Sequence, residues 1–185
     1  MRFPSRLEGL PVRPPLPVGG SAVIAAAALV FWGCSRHAEG DASRAEGARL
    51  YDQNCSTCHG LDGRGAPPAY PPLAGRVPAL LREPRGRTYL VSVPVSGLAG
   101  PIADGDDHYD GVMAPFSFRS DAELAAILNH ACAAWGNDAL LPPGHRSITA
   151  GEVALARKQG GTGHDVWLLR PQPKASGGPS QVTSQ

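Results

Sequence analysis

The five residues Cys55-Ser-Thr-Cys58-His59 constrain this chain more than any other feature of its sequence. Two thiols separated by two residues can each form a thioether to a haem vinyl group, and the histidine that follows then lies beneath the iron as an axial ligand. A thioredoxin-like redox pair would need a βαβ context that the sequence lacks, and a zinc site would need a second Cys/His pair at similar spacing. The motif therefore predicts one covalently attached haem c.

The composition is that of a small, loop-rich domain packed around such a group. The 185 residues include 19 prolines and 23 glycines, which favour loops and a modest core, and only 6% of the residues are aromatic. We therefore expect a buried porphyrin to supply part of the apolar packing. The formal net charge of +1 gives no sign of the clustered basic surface that nucleic-acid-binding proteins use, so we expect no nucleic-acid partner.

Residues 1–33 have the pattern of an export signal, with a basic start followed by an apolar run over 22–32. This run is far shorter than the ~20 residues that a membrane-spanning helix needs. It ends in Gly33-Cys34, which is typical of the processing site of bacterial lipoproteins. We predict a lipoprotein signal peptide, lipid attachment at Cys34, a tether over 34–44 and anchoring to a membrane. Simple cleavage of the leader or an uncleaved anchor is the alternative.

Two capping boxes mark helix starts in the second half of the chain. Ser120-Asp-Ala-Glu123 predicts a helix to about Ala134, and Thr149-Ala-Gly-Glu152 predicts a second short helix over 153–159. Cys132 lies on the first of these helices and is interpreted as a small buried thiol. The other predictions are a helix over 41–54, a loop over 60–86, a strand or helix over 88–96, a loop over 97–112 and a disordered tail over 171–185.

The second axial ligand decides the chemistry, because a filled sixth position leaves electron transfer whereas an open one permits oxygen, peroxide or gas chemistry. Met113 is the only methionine after the initiator, and it lies in a turn-forming loop between Gly111 and Pro115. Core-filling methionines normally stand among other apolar residues at helical or strand spacing, so this position favours ligation. The other candidates are His108 as runner-up, then His130, His145 and His164.

The order of these elements resembles that of the class I c-type cytochromes of the bacterial monohaem branch. The resemblance covers residues 44–136 and extends more weakly to about 159. It implies an all-α fold, a small cytochrome c fold of three to five short helices around one covalently attached haem, with a C-terminal helical extension. The implied haem domain spans 45–136, and the extension, with one short helix, spans 137–170.

The resemblance also implies roles for single residues. The carbonyl of Pro71 would accept a hydrogen bond from the ligand imidazole of His59, and Leu73 would press on the haem face. Met113 would be the second ligand of the iron. The helix crossing of the family would place Gly47 and Tyr51 against Leu124 and Ile127.

These features predict an electron carrier at the periplasmic face rather than an enzyme, exchanging electrons with a dehydrogenase donor and an oxidase or reductase acceptor. One alternative is a haem-bearing subunit of a larger dehydrogenase or oxidase complex. A less favoured alternative is a haem enzyme or gas sensor with an open sixth position. Five arginines over 64–87 and four aspartates over 104–110 either steer such partners or are ordinary solvated loops.

Overall fold

Residues 43–171, the part of the chain that the computed structural model describes, contain seven α-helices, two short β-pairs and two 3-10 turns, Ala134–Gly136 and Asp138–Leu140. The predicted signal peptide, Cys34, most of the tether and all but the first residue of the predicted tail lie outside these residues. Within them, no helix is both long and apolar enough to cross a bilayer. The helices are α1 (43–54), α2 (Ser56–His59), α3 (Arg76–Leu81), α4 (Gly86–Ser96), α5 (Asp121–Ala133), α6 (Ala150–Gln159) and α7 (Gly163–Leu169), and the strands are β1 (Leu98–Ala99), β2 (Ile102–Asp104), β3 (Asp107–Tyr109) and β4 (Val112–Met113).

Helix α1 crosses α5 at a close approach of the two backbones. A Cβ atom on Gly47 would overlap the carbonyl oxygen of Ala126, so the crossing requires glycine at this position. One turn later, the buried Tyr51 donates a hydrogen bond from its hydroxyl to the carbonyl of Gly60, 2.7 Å away. The crossing therefore fixes α1 relative to both α5 and the loop that follows α2.

Segment 88–96, which the sequence leaves open between strand and helix, belongs to α4. Pro94 lies in the last turn of this helix, two residues before it ends at Ser96, so the backbone hydrogen bond that proline removes lies near the helix end and interrupts little of the helix. The carbonyl of Pro94 accepts a hydrogen bond from the N–H of Phe116, 2.8 Å away, so the end of α4 holds the chain just after Met113. The predicted loop over 60–86 is wrong in part, because it contains α3 and the first residue of α4.

The predicted loop over 97–112 contains two short antiparallel pairs. Strand β1 pairs with β4, with Leu98 opposite Met113, and β2 pairs with β3 as a hairpin, with Ile102 opposite Tyr109. Strands of two or three residues carry too little alternation to be recognised in a sequence. The first pair fixes the backbone of Met113 against the segment that leaves α4.

The two predicted capping boxes are both present, at the starts of α5 and α6. The extension after residue 137 contains two helices rather than the one predicted, because α7 begins at a further capping box formed by Thr162 and Asp165. Helix α6 packs against α4 and α5, and α7 packs against α4 and β1. Both helices therefore fold back onto the preceding part of the chain.

Buried apolar side chains form two clusters. The larger one joins α1, α4, α5 and α6 through residues such as Leu50, Leu124 and Val153. The smaller one joins α4, β1 and α7 through Tyr89, Leu98 and Val166, with Met113 packed against it. This predominantly helical architecture confirms the predicted all-α class.

Candidate haem site

A cavity of about 570 Å³ is lined by members of both core clusters. This volume lies within the roughly 300–1,000 Å³ that is usual for cofactor and small-molecule sites. Its walls are mostly apolar and come from α3, α4, α5 and the segments around them. Five of the residues predicted to form the site share its lining: Cys55, His59, Pro71, Leu73 and Met113.

His59 is fixed in orientation at the end of α2. Its Nδ1 lies 2.9 Å from the carbonyl oxygen of Pro71, which can only accept, so Nδ1 carries the proton and donates. Burial lowers the pKa of His59, and the hydrogen bond to Pro71 opposes this shift only in part. The ring is therefore neutral at pH 7, and Nε2 keeps the lone pair that a metal ion can accept.

Cys55 and Cys58 are partly exposed and form no disulfide bond, and they lie at the start and in the middle of the α2 turn. Cys55 lines the cavity, whereas Cys58 does not. Burial, together with the neighbouring Cys58, raises the pKa of Cys55 to about 11. A dithiol redox pair needs an attacking thiol with a pKa near or below neutrality, so the electrostatics disfavour the thioredoxin-like alternative.

Of the five candidates for the sixth ligand, all within residues 43–171, Met113 alone lines the cavity. His108 is exposed on β3. His130 packs with its ring 5.2 Å from that of Tyr51 and 5.6 Å from that of Trp135. His164 stacks on Trp167, and His145 lies in the loop before α6. The geometry therefore brings one nitrogen donor and one thioether sulfur to the same cavity.

The loop that carries Pro71 and Leu73 is held by two residues that the sequence analysis did not single out. Asn137 is fully buried; its amide donates to the carbonyls of Leu73 and Ala131, and its Oδ1 accepts from the N–H of Gly75 at 2.6 Å. Trp135 donates from Nε1 to the carbonyl of Leu61, 2.8 Å away, with its backbone at the uncommon φ of 57°. Single polar residues in irregular segments give no periodic signal, so only the fold reveals them.

Polar groups gather at one part of the cavity. Arg76 and Arg170 both line it, and Arg76 forms an ion pair with Asp104. Tyr109 is buried close to Asp107 and Asp104 but does not line the cavity itself. An apolar group that ends in carboxylates would complement the two cations.

Comparison with known proteins identifies the family. A family model described as Cytochrome c matches residues 44–130. Cytochrome c-552 of Thermus thermophilus is 44% identical over 115 residues, which are 62% of this chain and 76% of that protein. The chain belongs to the cytochrome c family. A second cytochrome c-552 from the same species is 45% identical over 114 residues, or 62% of this chain and 86% of that protein.

More distant similarity extends to larger proteins. The cytochrome c subunit of the quinone alcohol dehydrogenase of Gluconacetobacter polyoxogenes is 30% identical over 151 residues. These residues are 76% of this chain but only 30% of that subunit. The similarity therefore covers most of the present chain and a minor part of that relative.

Family membership establishes that the protein carries covalently bound haem c, adopts the small all-α cytochrome c fold and transfers electrons. The residues of this structure fit that cofactor. The cavity is mostly apolar and of suitable size, an imidazole and a thioether side chain share its lining, and its two arginines suit the propionates of a haem. Cys55 and His59 of the Cys55–His59 motif both line this cavity.

Proposed function

We propose that the protein is a periplasmic-side electron carrier whose haem iron is ligated by His59 and Met113 and attached through Cys55 and Cys58. The observation that carries this proposal is that Met113 alone, among the five candidate ligands, shares the cavity lining with His59. Bound haem supplies one-electron chemistry between the ferrous and ferric states of its iron. The side chains around the haem set its reduction potential and its orientation.

The side chains of the cavity favour the reduced state. The thioether of Met113 is a soft donor that favours ferrous iron, and apolar walls penalise the additional positive charge of the ferric state. The hydrogen bond from His59 to Pro71 keeps the imidazole in one orientation and one tautomer, so ligand geometry changes little between the two states. Leu73 and the apolar residues of α5 line the cavity and make this wall apolar.

The residues that line the cavity fit an electron carrier better than a haem enzyme or a gas sensor. A haem enzyme or gas sensor needs an open sixth position and a nearby acid–base group. Among the described residues, the charged side chains that line the cavity are Arg76, Glu83, Asp104 and Arg170, and no second histidine lines it. Arg76 and Asp104 already pair with each other. Because the proposed ligation by Met113 fills the sixth position, we favour electron transfer over oxygen or peroxide chemistry.

Exposed apolar residues beside the site suggest where partners dock. Val112, next to Met113, is 78% exposed, and Tyr70, next to Pro71, is 43% exposed. Weak, transient electron-transfer complexes have small interfaces. Two exposed apolar residues close to the cavity are enough to form the centre of such an interface. The arginine and aspartate runs are a weaker guide to partners, because the Arg76–Asp104 ion pair joins them and cancels part of their charge separation.

A second candidate function is that of a haem subunit in a dehydrogenase complex. The similarity to the cytochrome c subunit of a quinone alcohol dehydrogenase, over 76% of this chain, favours it. The chemistry is the same as in the free carrier, and the difference lies in whether the partner is permanent. Isolation of the protein from native membranes would separate the two, since a subunit migrates with its dehydrogenase and a carrier migrates alone.

Absorption spectroscopy and carbon monoxide test the ligation. The oxidised protein is expected to show the weak far-red absorption of a sulfur–iron(III) bond, and the reduced protein is expected to leave carbon monoxide unbound at neutral pH. Avid binding of carbon monoxide by the unmodified protein, together with a missing far-red band, would contradict ligation by Met113.

The proposed membrane anchor depends on Cys34. If the thiol of Cys34 carries lipid, Cys34→Ser removes the attachment point, and we expect the protein to move from the membrane fraction to the soluble periplasmic fraction. Cys132→Ser is the matched control, because Cys132 is buried in α5 and its replacement leaves the anchor intact. A Cys34→Ser protein that stays with the membrane would show that the leader anchors it in another way.

A further inference from the structure

Helix α7 lies directly against β1, the strand that pairs with the strand of Met113. A Cβ atom on Gly163, the first residue of α7, would come within 3.0 Å of the backbone of Leu98 and Ala99. This distance is tighter than side chains normally allow, so glycine lets the helix approach the strand. The buried Val166 then joins Leu98 in the smaller core cluster.

Trp167 extends this contact to the turn after β1. Its ring lies on Gly100, where a Cβ atom would come within 2.5 Å of the indole. The indole Nε1 donates a hydrogen bond to the carbonyl of Pro101, 2.6 Å away. The ring of His164 stacks on the indole, with the two ring centroids 5.3 Å apart. The indole thus fixes the backbone at the turn between β1 and β2.

The β1–β4 pair has little stability of its own. It consists of two residues on each strand, with Leu98 opposite Met113 and Ala99 opposite Val112, and isolated pairs of this size are not stable in water. Val112 is exposed, so its side chain contributes little packing to β4. Helix α7 supplies the packing on the β1 side, since it contacts β1 and α4.

We propose that α7 positions the axial methionine, with Trp167 holding the turn at Gly100 and Pro101 so that β1 keeps β4 and Met113 on the iron. This inference rests on the proposed ligation by Met113 and goes beyond it, because it assigns a ligand-holding role to the C-terminal extension. Trp167 is a positioning residue that acts through the backbone of β1. Weakening its contact raises the population of a state in which Met113 has left the iron.

Competition by exogenous imidazole measures that population in the oxidised protein. Imidazole binds only where Met113 has left, so its apparent dissociation constant falls in proportion as the open state becomes more populated. For Trp167→Ala, which loses the ring contact and the hydrogen bond, we expect imidazole to bind about tenfold more tightly. Trp167→Phe keeps most of the ring contact and lacks the hydrogen bond, so it should lie between Trp167→Ala and the unmodified protein.

Two control variants separate ligand positioning from general stability. Leu168→Ala alters a residue of the same helix that is 62% exposed, and it should leave the imidazole affinity unchanged. Val153→Ala lowers the overall stability through a buried position of α6 that does not belong to the smaller cluster, and it should also leave the affinity unchanged.

The outcomes of this experiment are distinct. Unchanged imidazole affinity in Trp167→Ala, with the far-red band present, would overturn the positioning role and leave ligation by Met113 standing. An equal rise in Val153→Ala would also overturn it, because stability alone would then explain the effect. If Trp167→Ala does not fold, unchanged affinity in Trp167→Phe decides against the proposal. A missing far-red band in the unmodified protein would overturn the ligation and the positioning role together.

Discussion

Replacing Met113 with alanine should abolish the far-red absorption of the oxidised protein and let the reduced protein bind carbon monoxide. Alanine offers no donor atom, so the sixth position becomes available to water or an added ligand. The loss of a soft sulfur donor also removes a preference for ferrous iron. We therefore expect the midpoint potential to fall by on the order of 0.1 V or more, within the roughly 0.8 V range that axial ligands span. Optical spectra, carbon monoxide titration and potentiometry measure the three effects.

Val112→Ala is the matched control for this substitution, because Val112 is the neighbouring residue of β4 and its side chain is 78% exposed. Its spectrum and potential should equal those of the unmodified protein. His108 is the alternative ligand nearest in sequence, and His108→Ala should have no effect on the far-red band. A Met113→Ala protein that keeps the band, or an effect of equal size from His108→Ala, would contradict the assignment.

The features that the sequence predicts well are local. The capping boxes at Ser120 and Thr149 satisfy backbone groups within the same turn, so their residue types and spacing suffice to predict them. The hydrogen bond between His59 and Pro71 spans twelve residues and was predicted from the family resemblance.

The features that the sequence does not predict depend on contacts between distant segments. Helix α4 forms in spite of Pro94, because burial of its apolar side chains outweighs local preference. Helix α7 has seven residues, which is too short to be stable alone, and it forms against β1 and α4. Asn137 bonds to Gly75, 62 positions away in the chain. None of these contacts leaves a periodic pattern in its own segment.

The position of the cavity between the two core clusters indicates that the stability of the fold depends on the bound cofactor. Residues of both core clusters line it, so the chain packs these clusters around the haem rather than against each other. Without haem, the apolar side chains that line this cavity of about 570 Å³ would face water, which removes part of the hydrophobic driving force for folding. Folded domains are only roughly 5–15 kcal/mol more stable than unfolded ones, so this loss is large relative to the total stability.

The double variant Cys55→Ala/Cys58→Ala, prepared without haem, should therefore lose most of its stable tertiary structure. Removal of both thiols removes the thioether links, so no haem should stay with the denatured chain on a gel stained for haem. Circular dichroism should show reduced helix content and no cooperative thermal transition. The effect follows from the cavity rather than from the thiols themselves, because neither cysteine belongs to the fully buried core.

Cys132→Ala separates the effect of losing haem from the effect of losing a cysteine side chain. Cys132 is buried in α5 and its pKa is raised to about 11 by burial, as expected of a structural thiol. Its replacement should keep the covalent haem and cost on the order of 1 kcal/mol, the usual size of a small loss in a packed core. A haem-free double variant that unfolds cooperatively with native helix content would show that the two clusters close on each other. Haem would then be cargo of a fold that is stable without it, rather than a part of its core.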